Sequence, residues 1–346
     1  MENASPGAML EILLVNYLKA NAGISRALVY DRDGLLLAKV RRNEGGSPVV
    51  VKGAASERDM VLGAVTSIVE PTLRRIKEYE TGTFGTGTFE SEDYRLVFSE
   101  AGPLAILLTI TPYDVDLGSV MPHAFLVAEK VANVLAGKLF ERKQSLDVPS
   151  FQFDVGTDWT DKKRISAKGE TLRFKVILLG DDRVGKTSLV EQFVTNRFTR
   201  DYRPTLGVAI SEQEFFLQGL EDGGRVEFVI YDLAGQQFFK RVRHQYYLGV
   251  DAAFVVFDLT HLEMFAHVTD WVDDLWERHP DTPVVLVGNK VDLEAEREVE
   301  FEEADRIAQK YHAPYLETSA KTGQNVYDAF QMVAIGLFFK HWKKKK

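Results

Sequence analysis

Two patterns of hydrophobic and polar positions divide the chain. From residue 172 onward, short apolar runs alternate with stretches of helical period. Residues 173–179, 252–258, 283–288 and 314–318 are nearly continuous apolar runs, as strands covered on both faces require. Residues 208–217 and 225–231 read as two more strands, joined by a turn at Glu221-Asp222-Gly223-Gly224. Helical spacing marks residues 186–195, 264–279, 301–311 and 325–339. Strands alternating with helices predict an α/β unit, a mostly parallel six-stranded sheet with helices on both faces. Ligands on such sheets bind at the carboxyl ends of the strands, where the loops gather.

Before residue 142 the order changes. Residues 9–19 have helical spacing, and 27–30 and 35–40 are strands around the hairpin turn Asp31-Arg32-Asp33-Gly34. Residues 57–79 read as a helix that Pro71 should bend or break. Strands near 83–90, 94–99 and 104–111 follow, then a helix over about 117–140. This order predicts an α+β unit, a five-stranded antiparallel sheet with helices packed on it. Asp31, Asp33, Glu90, Glu92 and Asp93 fall in turns and read as solvated turn residues, so no catalytic constellation emerges. Residues 142–171, polar and broken by Pro149, Gly156 and Gly169, read as a linker whose Phe151, Phe153 and Trp159 dock on a neighbour. The expected organisation is 1–141, a linker over 142–171, and 172–346.

Composition narrows the classes. At 346 residues, the chain has room for two units of about 150 residues each. It is 45% hydrophobic and 27% charged, a soluble globular profile. The absence of cysteine excludes disulfides, thiol catalysis, thiolate-bound zinc and every lipid attached through cysteine. Glu2 after Met1 removes the glycine that myristoylation needs. No apolar run reaches the roughly 18 residues of a membrane span, and no basic-then-apolar leader opens the chain. A cytoplasmic protein is expected. The net charge of −9 argues against nucleic acid as a partner. The tail, Lys340-His341-Trp342 and four lysines, has two readings. It is a weak contact to an anionic membrane, at about 1 kcal/mol per lysine, which would make the protein peripheral there. Or it caps the dipole of the last helix and keeps the end soluble.

The chemistry lies in the second half. The stretch GDDRVGKTS, residues 180–188, follows a strand directly and opens a helix, the context in which a glycine loop cradles phosphates. The loop formed by Asp182, Arg183, Val184, Gly185, Lys186, Thr187 and Ser188 would wrap phosphates in backbone N–H groups at a helix N-terminus. Lys186 would reach the β and γ phosphates, and the Thr187 hydroxyl would ligate Mg2+. Four more segments follow in order: Thr205 in Arg203-Pro204-Thr205-Leu206-Gly207, then Asp232-Leu233-Ala234-Gly235-Gln236, Asn289-Lys290-Val291-Asp292 and Thr318-Ser319-Ala320-Lys321. Each alone is ordinary loop chemistry. Five in this order, around strands' carboxyl ends, leave little room for accident.

With these boxes and the stretches FVTNRFTRDYRPTLGV and YDLAGQQFF, residues 172–340 resemble a Ras-superfamily small GTPase, nearest the Rab-like branch. The resemblance implies GTP or GDP as ligand and Mg2+ as cofactor. Asp292 would accept hydrogen bonds from guanine N1–H and the 2-amino group, which adenine does not offer, a rejection of about 10⁴–10⁵. Asn289 and Lys290 would buttress the base, and Ala320, between Ser319 and Lys321, would offer its N–H to the guanine oxygen. Phe198, twelve residues after Lys186, packs on the base or is a simple core residue. Tyr202 joins the nucleotide-binding set. Thr187, Thr205 and, through a water, Asp232 would hold the metal. Gln236 matches the family's water-orienting glutamine and, with Lys186, makes the catalytic pair. Gly235 would supply a flexible amide beside it.

One position departs from the Ras and Rab pattern, which has glycine or serine where this chain has Asp182. Aspartate there is similar to the Arf-like branch. The expectation is intact GTP binding with slow unaided hydrolysis, because a carboxylate near the γ-phosphate repels it and crowds Gln236 or an incoming arginine. Arg183 offsets that charge or points to solvent. The loops around Thr205 and residues 235–239 would act as switches that meet effectors and regulators. Phe238, Phe239, Tyr246 and Tyr247 would form an aromatic partner surface, or lie partly in the core. The first half, through its element order and ALVYDRDGLLLA, resembles a Roadblock domain over residues 8–140; the competing longin-type domain begins with a strand. That resemblance implies a homodimerising or regulatory module. Two functions stay open, a hydrolysing GTP/GDP switch and a nucleotide-stabilised scaffold in which hydrolysis is incidental.

Overall fold

The computed structural model describes residues 4–53, 55–78, 86–90, 93–139, 145–149, 171–199, 205, 207–217, 224–235 and 240–344. Gln236, Tyr202, Glu92, Phe238, Phe239 and the linker aromatics Phe151, Phe153 and Trp159 lie outside the described residues.

The first half begins with helix α1 (Pro6–Ala20), started by the Ser5 side chain accepting from the Ala8 N–H at 3.3 Å and by proline in the first turn. Strands β1 (Arg26–Asp31), β2 (Leu36–Arg42) and β3 (Pro48–Val50) precede helix α2 (Glu57–Glu78). Strands β4 (Thr86–Glu90), β5 (Tyr94–Ala101) and β6 (Ala105–Pro112) then lead to α3 (Leu117–Leu135), capped by Asp116. The sheet order is β3-β2-β1-β6-β5-β4, antiparallel throughout. It has six strands where the pattern predicts five. The extra one, β3, is three residues long and half-buried, too short to show an alternation. Helix α2 runs unbroken through Pro71, against the expected break. A proline there removes one hydrogen bond of a 22-residue helix whose Leu62 and Val65 are already held against the sheet. Glu90 ends β4 and pairs with Arg95 at 2.9 Å, so it is not a turn acid.

The second half opens with β7 (Thr171–Leu179) and α4 (Lys186–Thr195). The antiparallel pair β8 (Val208–Leu217) and β9 (Gly224–Leu233) precedes α5 (Lys240–Tyr247) and β10 (Ala252–Asp258). Helices α6 (Leu262–Phe265) and α7 (Val268–Trp276) replace the single helix read over 264–279. Strand β11 (Val284–Asn289), helix α8 (Phe301–Lys310), strand β12 (Tyr315–Thr318) and helix α9 (Val326–Lys344) complete it. The order β12-β11-β10-β7-β9-β8 is parallel except at β8. The predicted six strands and both helical layers are present.

Why so many strands are apolar on both faces follows from the layering. In β1, Ala27 and Val29 face α1 and α3, while Leu28 and Tyr30 face α2. In β10, Phe254 and Val256 face α4 and α9, while Ala253, Val255 and Phe257 face α7 and α8. The inner faces of the two sheets share one apolar core, running from Leu10 and Leu13 of α1 through Val127 and Val131 of α3 to Val333 and Leu337 of α9. The α3–α9 contact joins the halves. Within the linker, residues 145–149 pack on this core through Leu146 and Val148.

Candidate functional site

The loop between β7 and α4 can only be built with glycine at two points. Gly180 has φ +135°, and a Cβ there would stand 2.0 Å from the Val256 carbonyl oxygen of β10. Gly185, at φ +100°, would put a Cβ 2.2 Å from Asn289 Nδ2. Arg183 between them also takes a left-handed φ of 64°, a conformation that costs a non-glycine residue free energy. The Lys186 ammonium folds back across the loop, donating to the Gly180 and Asp181 carbonyls at 2.9 and 2.7 Å. Burial pushes that ammonium down to about 8, against the opposing pull of Asp232, Asp182 and Asp181.

Three oxygens converge beside it. Thr187 Oγ1 lies 2.8 Å from Thr205 Oγ1 and donates to Asp232 Oδ2 at 2.5 Å, while Thr205 reaches the same oxygen at 3.4 Å. Burial raises the Asp232 carboxyl, although the hydrogen bond from Thr187 and the charge of Lys186 oppose it. Its Oδ1 is buried with no partner among the described residues. An orphaned carboxylate oxygen next to two hydroxyls is a hard-oxygen donor set, which fits Mg2+.

At the other end of the cleft, Asn289 spans three segments. Its Nδ2 donates to the Val184 carbonyl at 2.9 Å, and its Oδ1 accepts from the Ala320 N–H at 3.1 Å and from Thr318 Oγ1 at 3.3 Å. Lys290 donates to Asp258 at 2.5 Å. Asp292 accepts from Ser319 Oγ at 2.6 Å and from the Lys321 ammonium at 3.1 Å. Burial alone would raise the Asp292 carboxyl; those two hydrogen bonds and the Lys321 charge outweigh it and hold it below the ordinary range.

A cleft of about 650 Å3 joins the two ends. Asp182, Arg183, Gly185, Lys186, Thr187 and Ser188 line one side, and Asn289, Lys290, Asp292, Ala320 and Lys321 the other. Phe198, Thr205 and Gly235 also line it. Phe198 is thus at the cleft, 37% exposed, and not a core residue. Val184 and Ser319 are buried behind the wall. Gly235 is pressed on the loop: a Cβ there would fall 2.4–2.6 Å from the backbone of Asp181 and Asp182.

The matches with known proteins fall on this half. The model of the Ras family matches residues 175–337. The chain is also 39% identical over 168 residues to the Ras-related protein RABA5c of Arabidopsis thaliana, covering 48% of this chain and 76% of that protein. The chain belongs to the Ras family. The first 174 residues lie outside the family match.

Sequence reasoning passed over several parts of this Ras-family site. Glu191, Thr199 and Leu293 also line the cleft. The Asp181 carboxylate accepts from His267 Nδ1 at 2.6 Å and from Trp271 Nε1 at 2.8 Å, tying the loop to α7. The Arg243 guanidinium lies 4.1 Å over the Trp271 ring and reaches the Ala234 and Gly235 carbonyls. No local pattern announces these contacts, which join residues far apart in the chain. The expected aromatic surface needs correction at Tyr247, which is fully buried and donates to Asp274 at 2.9 Å. Tyr246 is half-buried against Tyr231. Both close the gap between α5 and the sheet, so packing claims them. Among the described residues, no helix is long and apolar enough to cross a membrane.

Proposed function

We propose that this Ras-family chain is a Rab-like GTP-binding switch that hydrolyses GTP to GDP slowly. The observation that carries the reading is the pairing, within one cleft, of the Thr187–Thr205–Asp232 oxygens beside Lys186 with the Asn289–Asp292–Ala320 cluster. The first set suits Mg2+ and phosphates, and the second suits a guanine edge. In this reading the loop amides and the Lys186 ammonium hold the β and γ phosphates. Mg2+ held by Thr187, Thr205 and, through a water, Asp232 would supply neutralising charge. Asp292 accepts from the base, Asn289 holds the wall in place, and Phe198 packs on the ring. Gln236 orients the attacking water.

Slow turnover is the expected consequence of Asp182. The tight approach of Gly235 to the Asp181–Asp182 backbone supports close packing at the Asp182 end of the loop. Asp182→Gly is expected to raise the single-turnover rate several-fold; an unchanged rate removes the crowding argument. The first half, residues 1–141, is read as a Roadblock-like module that dimerises or regulates the switch. The stripe of Val61 and Ile68 on α2, 58% and 70% exposed, supports a homodimer face. Effectors and regulators would meet the segments around Thr205 and Gly235. Lys340, Lys343 and Lys344, which end α9, and the two lysines that follow in the sequence would add weak attraction to anionic membranes, with the cytoplasm as the proposed location.

The deciding experiment identifies the nucleotide that co-purifies with the full chain and follows phosphate release with and without Mg2+. Guanine nucleotide with slow, Mg2+-dependent release is expected. Recovery of adenine nucleotide alone would sink the reading.

A further inference from the structure

The charged residues Lys130 and Asp328 sit where the two halves meet. Lys130 of α3 is fully buried, and its ammonium has three acceptors: Asp328 Oδ2 of α9 at 2.6 Å, and the carbonyls of Ser145 and Asp147 at 2.9 and 2.7 Å. A buried ammonium must find such partners, because leaving water is costly for a bare charge. Here the partners are one side chain from the second half and two carbonyls from the connecting segment. One group of the first half therefore holds both in place.

The connecting segment passes this constraint on. Ser145 Oγ donates to Asn325 Oδ1 at 2.5 Å, and Asn325 Nδ2 donates to the Glu317 carbonyl at 2.8 Å. Asn325 has a left-handed φ of 55°, a conformation asparagine tolerates better than most residues. It closes the loop from Thr318 to Gln324. Inside that loop the Ser319 N–H donates to the Gln324 carbonyl at 3.1 Å, and Ser319 Oγ donates to Asp292. The Glu317 carboxylate is gripped by the two terminal nitrogens of Arg297 and by the Tyr315 hydroxyl, so the far side of the loop is anchored as well.

We infer that Lys130 is a positioning residue for the base end of the cleft, acting through Ser145 and Asn325 on the loop that carries Ser319 and Ala320. The first half then governs how long guanine nucleotide stays bound, and leaves the phosphate chemistry alone. This rests on the guanine-nucleotide reading of the cleft. The chain of contacts ends on Asp292 through Ser319, the residue before Ala320, and none of its links touches Thr187, Thr205 or Asp232. Coupling carried by such a packed, hydrogen-bonded path changes an equilibrium by a modest factor.

The test uses the full chain loaded with a fluorescent GDP, in wild type, Lys130→Met and Ser145→Ala. Dissociation is expected to accelerate about tenfold in Lys130→Met and about threefold in Ser145→Ala, as couplings of this kind do. The preference for GDP over inosine diphosphate, which lacks the 2-amino group, should narrow in both. Single-turnover GTP hydrolysis from the loaded state should change less than twofold. A residue that only supports the fold would lower the folded fraction without altering the GDP-to-IDP ratio. Ser145→Ala leaves the ion pair in place and decides the matter if Lys130→Met does not fold. Dissociation within twofold of wild type in the folded variants, or hydrolysis changing in step with it, overturns the inference and leaves nucleotide binding standing. Wild-type protein that retains no guanine nucleotide removes the underlying reading instead.

Discussion

The nucleotide cleft and the α3–α9 seam are built on opposite terms. In the cleft, polar groups stand at loop ends where ligand or water can complete them, and Asp232 keeps one buried oxygen without a partner among the described residues. At the seam, Lys130 and Asp328 are 0% and 1% exposed and complete each other. Glu129 of α3 likewise accepts from Gln331 of α9. In the proposed reading the cleft's polar groups serve a ligand, while those of the seam serve the fold. The seam is arranged to exclude alternatives, since a buried charge tolerates only a partner in the right place. A buried pair of this kind adds little net stability over apolar residues of the same size, yet breaking one side of it is severe.

The largest expected effect breaks the seam. Lys130→Met should cost about 3–5 kcal/mol by stranding the Asp328 carboxylate, read as a shift in the urea midpoint. Lys130→Met with Asp328→Leu should recover most of that loss. If the double variant is no better than the single, the pair is not the source of the cost. At the cleft, on the proposed reading, Asp292→Ala would remove two charge-assisted hydrogen bonds to guanine and should weaken GDP binding by about 3 kcal/mol, or about a hundredfold, in equilibrium titration. Its effect on the urea midpoint should be small, which separates a binding residue from a structural one.

A pH series sharpens the contrast further. Burial pushes the folded Lys186 ammonium down to about 8, below its ordinary value, so the charged form is a burden in the free protein. That burden is complete below pH 8 and eases as pH rises toward the unfolded lysine value of about 10.4. Phosphates reverse the preference by favouring the ammonium. GDP affinity should therefore fall as pH climbs above about 8, by up to about tenfold per unit, while the free fold gains stability. A flat affinity profile from pH 7 to 9.5 would show that Lys186 keeps its charge without nucleotide. The smallest effect belongs to His267, raised first by its hydrogen bond to Asp181 and then by the Asp181 charge. Its contribution is present below the unfolded histidine value of about 6.5 and is lost as pH rises through the raised folded value. Because the ring is half-exposed, His267→Ala should cost only a few tenths of a kcal/mol, about what a solvent-screened pair contributes, at pH 5.5 and nothing at pH 8.5.

Most of the second half could be read from its letters because its signals are local. A strand of apolar residues followed by Gly180, Gly185 and Lys186 places a glycine loop at a helix N-terminus whatever the rest of the chain does. Asn289, Lys290 and Asp292 belong to the same kind of signal, and the fold puts them across one cleft from the loop. The clasp of Asp181 by His267 and Trp271 was illegible, because it joins residues 86 and 90 positions apart. Tyr247 shows the same limit. Its aromatic ring suited a partner surface as well as a core, and only the position of Asp274 on α7 decided between them.

Taken alone, the amino-acid order determined the two sheets' main strands, the glycine loop, and the residues proposed for phosphate, metal and base. Those depend on periodicity and spacing, which act over a few residues. Only the tertiary structure decided that the two halves share a core and that α3 meets α9. It also showed that a lysine and an aspartate 198 positions apart are one buried pair. In the letters, Lys130 and Asp328 look like any charged residues on a helix. Whether such a charge faces water or a partner depends on which surfaces come together, and the hydrophobic pattern names a face without naming what covers it.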